Sequence, residues 1–177
     1  MEMKNMKWMM VSAISLLAFS SCSDEWDSHY EENKIVVNND ALSEVAMTSE
    51  AFLQQHAAEY SSMYQLLSEN DVFVKLQEKN LLHTLLVVKN ESFAIEGVDE
   101  SDSVAMKTLA NSHISDIALP PSNLYDGQRI MMWHQKFVSV AMDTAKVSTD
   151  VSRISFGGRA VSEVIKTTNG YIYVIDN

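Results

Sequence analysis

The sequence predicts an α+β fold, helices first and paired strands after, on three observations. The segment Leu81–Phe93, LLHTLLVVKNESF, is a short apolar run closed by turn-forming polar residues, which reads as a strand buried on both faces. Ahead of it, Phe52, His56, Tyr60, Met63 and Leu67 recur at steps of three and four, the pattern of an amphipathic helix. Behind it, β-rich segments alternate with the turn dipeptides Asp126-Gly127, Gly157-Gly158 and Asn169-Gly170. A strand buried on both faces needs cover on each side, so Leu85–Val88 is expected at the centre of the fold.

The elements follow in order. Thr48 and Ser49 are suited to cap the first helix, with Glu50 favourably placed in its first turn. Asn70-Asp71 breaks that helix and caps a shorter one, which carries Val72, Phe73 and Leu76 inward and ends near Lys79-Asn80. After the central strand, residues 94–102 turn polar and acidic, with Gly97 in a loop. A helix from about Asp102 to Asn111 is expected to bury Val104, Ala105, Thr108 and Leu109, and His113–Ile117 alternates as a short strand. Pro120-Pro121 interrupts both kinds of element. Arg129–Trp133 and Lys136–Ala141 flank His134-Gln135 as a hairpin. Ile154–Phe156 and Ala160-Val161 flank the Gly157-Gly158 turn, and Asn169-Gly170 launches the closing strand Tyr171–Asp176. There is no internal repeat.

A chain of 177 residues has room for one domain with a proper core. Its net charge of -11 repels phosphate backbones, which argues against nucleic acid as a partner and against electrostatic docking on anionic lipid. The single cysteine, Cys22, excludes an internal disulfide and a CxxC metal cluster. It follows a basic start (Lys4, Lys7), an apolar run from Trp8 to Phe19, and the small residues Ser20-Ser21. This order resembles the lipobox of bacterial lipoproteins, with Phe19 in place of the more usual Leu. The resemblance implies a signal peptide over residues 1–21, a diacylglycerol on the Cys22 sulfur, and a membrane partner reached through that anchor. An ordinary secretory leader with an incidental cysteine is the other reading. Ser23-Asp24-Glu25-Trp26-Asp27 resembles the acidic signal that sends lipoproteins of Bacteroides-type bacteria to the outer face of the outer membrane; a solvated acidic tether is the alternative. Residues 22–47 read as a flexible acidic tether and residues 48–177 as the domain.

Within that domain the strand ending in Leu86, Asn90, Glu91 and Phe93, a helix running into His113, and a final Asn169-Gly170 with Ile175-Asp176 together resemble the fasciclin-like domain, FAS1. Val88-Lys89 stands where that family has Pro-Thr, Ser112-His113 where it has Tyr-His, and Tyr173 where a His is common. The resemblance implies a wedge-shaped β-sandwich with helices packed over one edge, acting as an extracellular adhesion or interaction module. In animal members an Asp-Ile dipeptide ahead of the Asn-Gly turn and the Tyr-His segment are linked to receptor binding; Glu163-Val164-Ile165 occupies that place here. The family domain usually continues a few apolar residues past Ile-Asp, so the end at Asn177 implies a short last strand or a truncated form of a longer protein.

No pattern of catalytic residues stands out. The histidines His29, His56, His83, His113 and His134 lack the spacing that presents metal ligands from one element. His56 is expected in the core, and His113 is expected to hold strand and loop together through its ring nitrogens. There is no GxSxG elbow, Walker loop or GxGxxG, and no nucleophile–base pairing is visible. Asp99, Glu100 and Asp102 share a loop without the alternation of a calcium-binding loop. Met131-Met132-Trp133 fits a strand with alternate residues buried as well as an exposed patch. The expectation is therefore a lipid-anchored envelope module at the outer membrane, with no catalysis, metal or cofactor, that binds a protein or glycan. A pocket between helices and sandwich would instead make it an envelope carrier of a small ligand.

Overall fold

The computed structural model describes residues 42–176. The leader, Cys22, the tether up to residue 41 and Asn177 lie outside the described residues. Four helices and eight strands are found among those described: β1 (Leu42–Glu44), α1 (Ser49–Gln55), α2 (Ala57–Glu69), α3 (Val72–Lys79), β2 (His83–Val87), α4 (Ser103–Ser112), β3 (Ile114–Ser115), β4 (Arg129–Met131), β5 (Phe137–Met142), β6 (Ile154–Phe156), β7 (Arg159–Thr167) and β8 (Gly170–Ile175).

The α+β class holds, with a different sheet from the separated layers of a sandwich. The strands form one hydrogen-bonded path, β3-β2-β8-β7-β6-β5-β4. Its two ends nearly meet, because Trp133, just past β4, donates its N–H to the Ile114 carbonyl in β3 at 2.9 Å. The result is barrel-like. Strand β7 makes the continuity possible: its start pairs with β6 at Arg159 and Ala160, and its later part pairs with β1 along Val164–Lys166. A register shift between Val161 and Glu163 separates the two stretches, and such a bulge raises local twist. Strand β1, at Leu42–Glu44, lies ahead of the Thr48 start, inside the segment read as tether.

Strand β2 sits where the apolar run requires, between β3 and β8, with all five residues buried. It runs parallel to β8, Leu86 facing Tyr173 and Leu85 facing Ile172. Leu53, Tyr60, Met63, Leu67, Val72 and Phe73 from the helices join β2, β7 and β8 in one hydrophobic cluster. The first helix is two. His56 interrupts the ladder at φ -102°, ψ 36°, its ring stacks on Phe52 at 4.3 Å and is only half-buried, and α2 restarts from its carbonyl. Thr48 caps α1 through Ala51 N–H, as its position predicts. Asp71 does not cap α3: it adopts a left-handed conformation (φ 61°) with no side-chain cap bond.

Helix α4 is placed as expected but turned. Val104 is 72% exposed and Thr108 is exposed, while Ala110 is buried and Met106 and Leu109 pack against the core. The helix lies at the rim, so only a narrow stripe one residue further round meets apolar neighbours. The strand expected over His113–Ile117 shrinks to Ile114–Ser115, because Thr84 Oγ1 donates to Ile117 O and accepts from Leu119 N, bending the chain into a loop. Met131 is partly exposed and Met132 buried, the alternation of a strand.

Candidate functional site

The motif residues fall into two groups at opposite ends of β2. At its start, strand β8 begins hard against the β2 backbone. A Cβ on Gly170 would lie far inside contact distance of the His83 carbonyl oxygen, so only glycine fits. The two-residue loop between β7 and β8 is Thr168-Asn169, one position earlier than the Asn-Gly turn signal suggests, since Thr167 pairs with Gly170. Gly170 is thus required by the close approach of two strands. Asn169 Oδ1 accepts from Ser49 N–H (2.9 Å), Ser49 Oγ (3.1 Å) and Thr167 Oγ1 (3.1 Å). Ser49 Oγ also meets His83 Nε2 at 2.8 Å. One side chain therefore ties the first turn of α1 to the β7–β8 loop.

The Ser49–His83 contact has the geometry of a nucleophile–base pair, which no local spacing in the sequence reveals. It is enclosed: Ser49 is 1% exposed and His83 0%, and Ser49 Oγ also lies 3.1 Å from Thr167 Oγ1. Burial holds the His83 imidazole below its usual range, so it is neutral. A substrate has no path to this hydroxyl, and the pair serves the fold.

At the far end of β2, Asn90 stitches the strand to α2. Its Oδ1 accepts Ser62 N–H at 2.9 Å, while its Nδ2 donates to the carbonyls of Ala57 (3.3 Å) and Ala58 (3.0 Å) and to Ser61 Oγ (3.0 Å). Lys89 beside it pairs with Glu59 at 2.9 Å. Glu91 is exposed on the same turn. His113 holds Leu86 twice, its carbonyl accepting Leu86 N–H at 2.8 Å and its Nδ1 lying 3.0 Å from Leu86 O. One ring nitrogen and the backbone carbonyl thus join the end of α4 to β2, and burial lowers the pKa of the ring. Tyr173, fully buried, donates its hydroxyl to Leu119 O at 2.7 Å, and burial pushes its phenol well above the usual range.

Leu86, Phe93, His113 and Ile175 converge on a cleft of about 360 Å³ between α4, the 93–98 loop and the strands. Asn90 and Glu91 line a smaller hollow of about 260 Å³ with Glu59 and Lys89. Asn169 and Gly170 line neither, and Asp176 is exposed, its N–H donating to Ala160 O at 3.0 Å. Val164 and Ile165, at the place of the receptor-linked dipeptide, are fully enclosed in β7 and have no surface to offer a receptor.

This fold and motif set have a counterpart: the family model of the Fasciclin domain matches residues 58–177. The chain belongs to the fasciclin domain family. A search of curated proteins finds no match. Fasciclin domains are cell-adhesion or interaction modules, and in this one the motif residues serve mainly to join strand to helix and strand to strand. Asp99 accepts from Ser101 N–H (2.9 Å) and Oγ (2.7 Å), and Asp102 caps α4, which gives both carboxylates a structural use. Among the described residues no cluster of three or more metal-ligating side chains occurs, and no helix is long and apolar enough to cross a membrane.

Proposed function

We propose that this chain is a lipid-anchored fasciclin module of a Bacteroides-type cell envelope, carried on the outer membrane and exposed at the cell surface, that binds a protein or glycan partner without catalysing a reaction. The observation that carries the reading is the pairing of a fasciclin domain over residues 58–177 with a leader that ends at the chain's sole cysteine, Cys22. An acidic segment after the cysteine supports the surface address, and the enclosure of Ser49 and His83 supports binding over turnover. Because Val164-Ile165 lies inside β7, the partner meets other surfaces than the receptor-linked dipeptide of animal members.

Metabolic labelling with a clickable fatty acid tests the anchor. The full chain is expected to label and the Cys22→Ala chain to stay unlabelled; label retained by Cys22→Ala overturns the anchor. Proteinase treatment of intact cells, with crosslinking before pull-down, tests the rest. Digestion without permeabilisation and a recurrent crosslinked protein or glycan are expected, and protection from the proteinase overturns the surface address.

A further inference from the structure

The larger cleft has the build of a small-molecule site. Its volume of about 360 Å³ falls in the range of small-ligand pockets, roughly 300 to 1,000 Å³. Leu86, Val88, Phe93, Leu109 and Phe156 give it an apolar lining. Ser112, His113 and His134 add polar atoms where α4 ends, His134 N–H being bonded to Asn111 O at 3.3 Å.

The hydrogen-bond polarity of these atoms selects the ligand. His113 Nδ1 donates to Leu86 O, which leaves Nε2 of the neutral ring as an acceptor. Ser112 spends its proton on Leu109 O at 2.6 Å, so its oxygen too is an acceptor. The His134 ring lines the same cleft, its Nδ1 out of solvent. Glu96 and Arg159 both line the cleft, one charge of each sign. At the Ser112–His113 end an anionic head would meet lone pairs, whereas a hydroxyl both donates to such acceptors and accepts in turn.

We propose that this cleft binds a small neutral molecule with a flat or chain-like apolar body and a hydroxyl head, the hydroxyl donating to His113 Nε2. The proposal does not rest on the anchor or the macromolecular partner, so its test is independent of theirs.

The test is calorimetric titration of 1-naphthol and naphthalene-1-carboxylate into the full chain carrying Cys22→Ala, which removes any acyl group that would compete. Saturable binding of one 1-naphthol per chain is expected, with the carboxylate about tenfold weaker or worse. Leu109→Trp fills the cleft from α4, and Ala94→Trp fills it from an exposed loop position where folding is not at stake. Each is expected to weaken 1-naphthol about tenfold. The proposal is overturned if 1-naphthol fails to saturate, if the carboxylate binds equally well, or if Ala94→Trp binds as the parent does.

Discussion

The two flanks of strand β2 treat buried polar groups in opposite ways. At its start, Ser49, His83, Thr167 and Asn169 form a closed network in which every side chain has a partner. Toward β3 and α4, three buried polar atoms have none among the described residues: Asn111 Oδ1, Ser115 Oγ and, in a residue of the cleft wall, His134 Nδ1. An unpaired buried polar group costs stability, so a fold tolerates several together only where it is not optimised for stability alone. The first flank is the fastening of the domain. The second holds the cleft.

Substitutions can break or sharpen this contrast. Gly170→Ala is the most damaging, because the clash is with backbone that has nowhere to move; a loss on the order of 4 kcal/mol or more is expected in denaturant unfolding, or no soluble protein. Asn169→Ala leaves the Ser49 N–H without its partner, while Ser49 Oγ keeps His83 Nε2 and Thr167 Oγ1 keeps Gly170 O, and should cost about 2 to 3 kcal/mol by the same measurement. Asn90→Ala frees four helix groups, but water reaches them at the surface, so about 1 to 2 kcal/mol is expected.

Acid should act on both flanks. Burial holds His83 and His113 below the ordinary 6.5, so the unfolded chain takes up protons that the folded one refuses. Stability is complete above pH 6.5 and falls as the pH drops below it, until the depressed folded values are reached. Thermal midpoints measured between pH 8 and pH 5 should therefore decline on the acid side, and a flat profile would remove the neutral imidazoles from the account. Ser115→Ala is the smallest change and the sharpest: its Oγ has no partner, so stability should stay within about 0.5 kcal/mol of the parent or rise. A loss as large as that of Asn169→Ala would erase the distinction between the flanks.

Much of the fold was legible because it rests on local patterns. The run Leu85–Val88 can be nothing but interior, and β2 is its consequence. Thr48 and Asp102 cap helices because their oxygens reach the N–H groups two and three residues on, a matter of neighbouring sequence. The errors share one cause. Val104 and Thr108 carry a helical period that does not say which stripe of α4 meets the core. Asn169-Gly170 reads as a turn because the pair is common in turns, whereas its glycine answers to a strand 87 positions earlier in the chain, at His83. The Ser49–His83 pair, 34 residues apart, leaves no mark in the sequence.

By itself the sequence determined the class of the domain, its central strand, and the family to which its motifs point, since hydrophobic period and capping are properties of short windows. Only the tertiary structure decided that the sheet nearly closes on itself, that Ser49 and His83 meet where nothing can reach them, and that Leu86, Phe93, His113 and Ile175 share a cleft. Those outcomes depend on which distant residues end up adjacent, and adjacency is fixed by packing the whole chain at once.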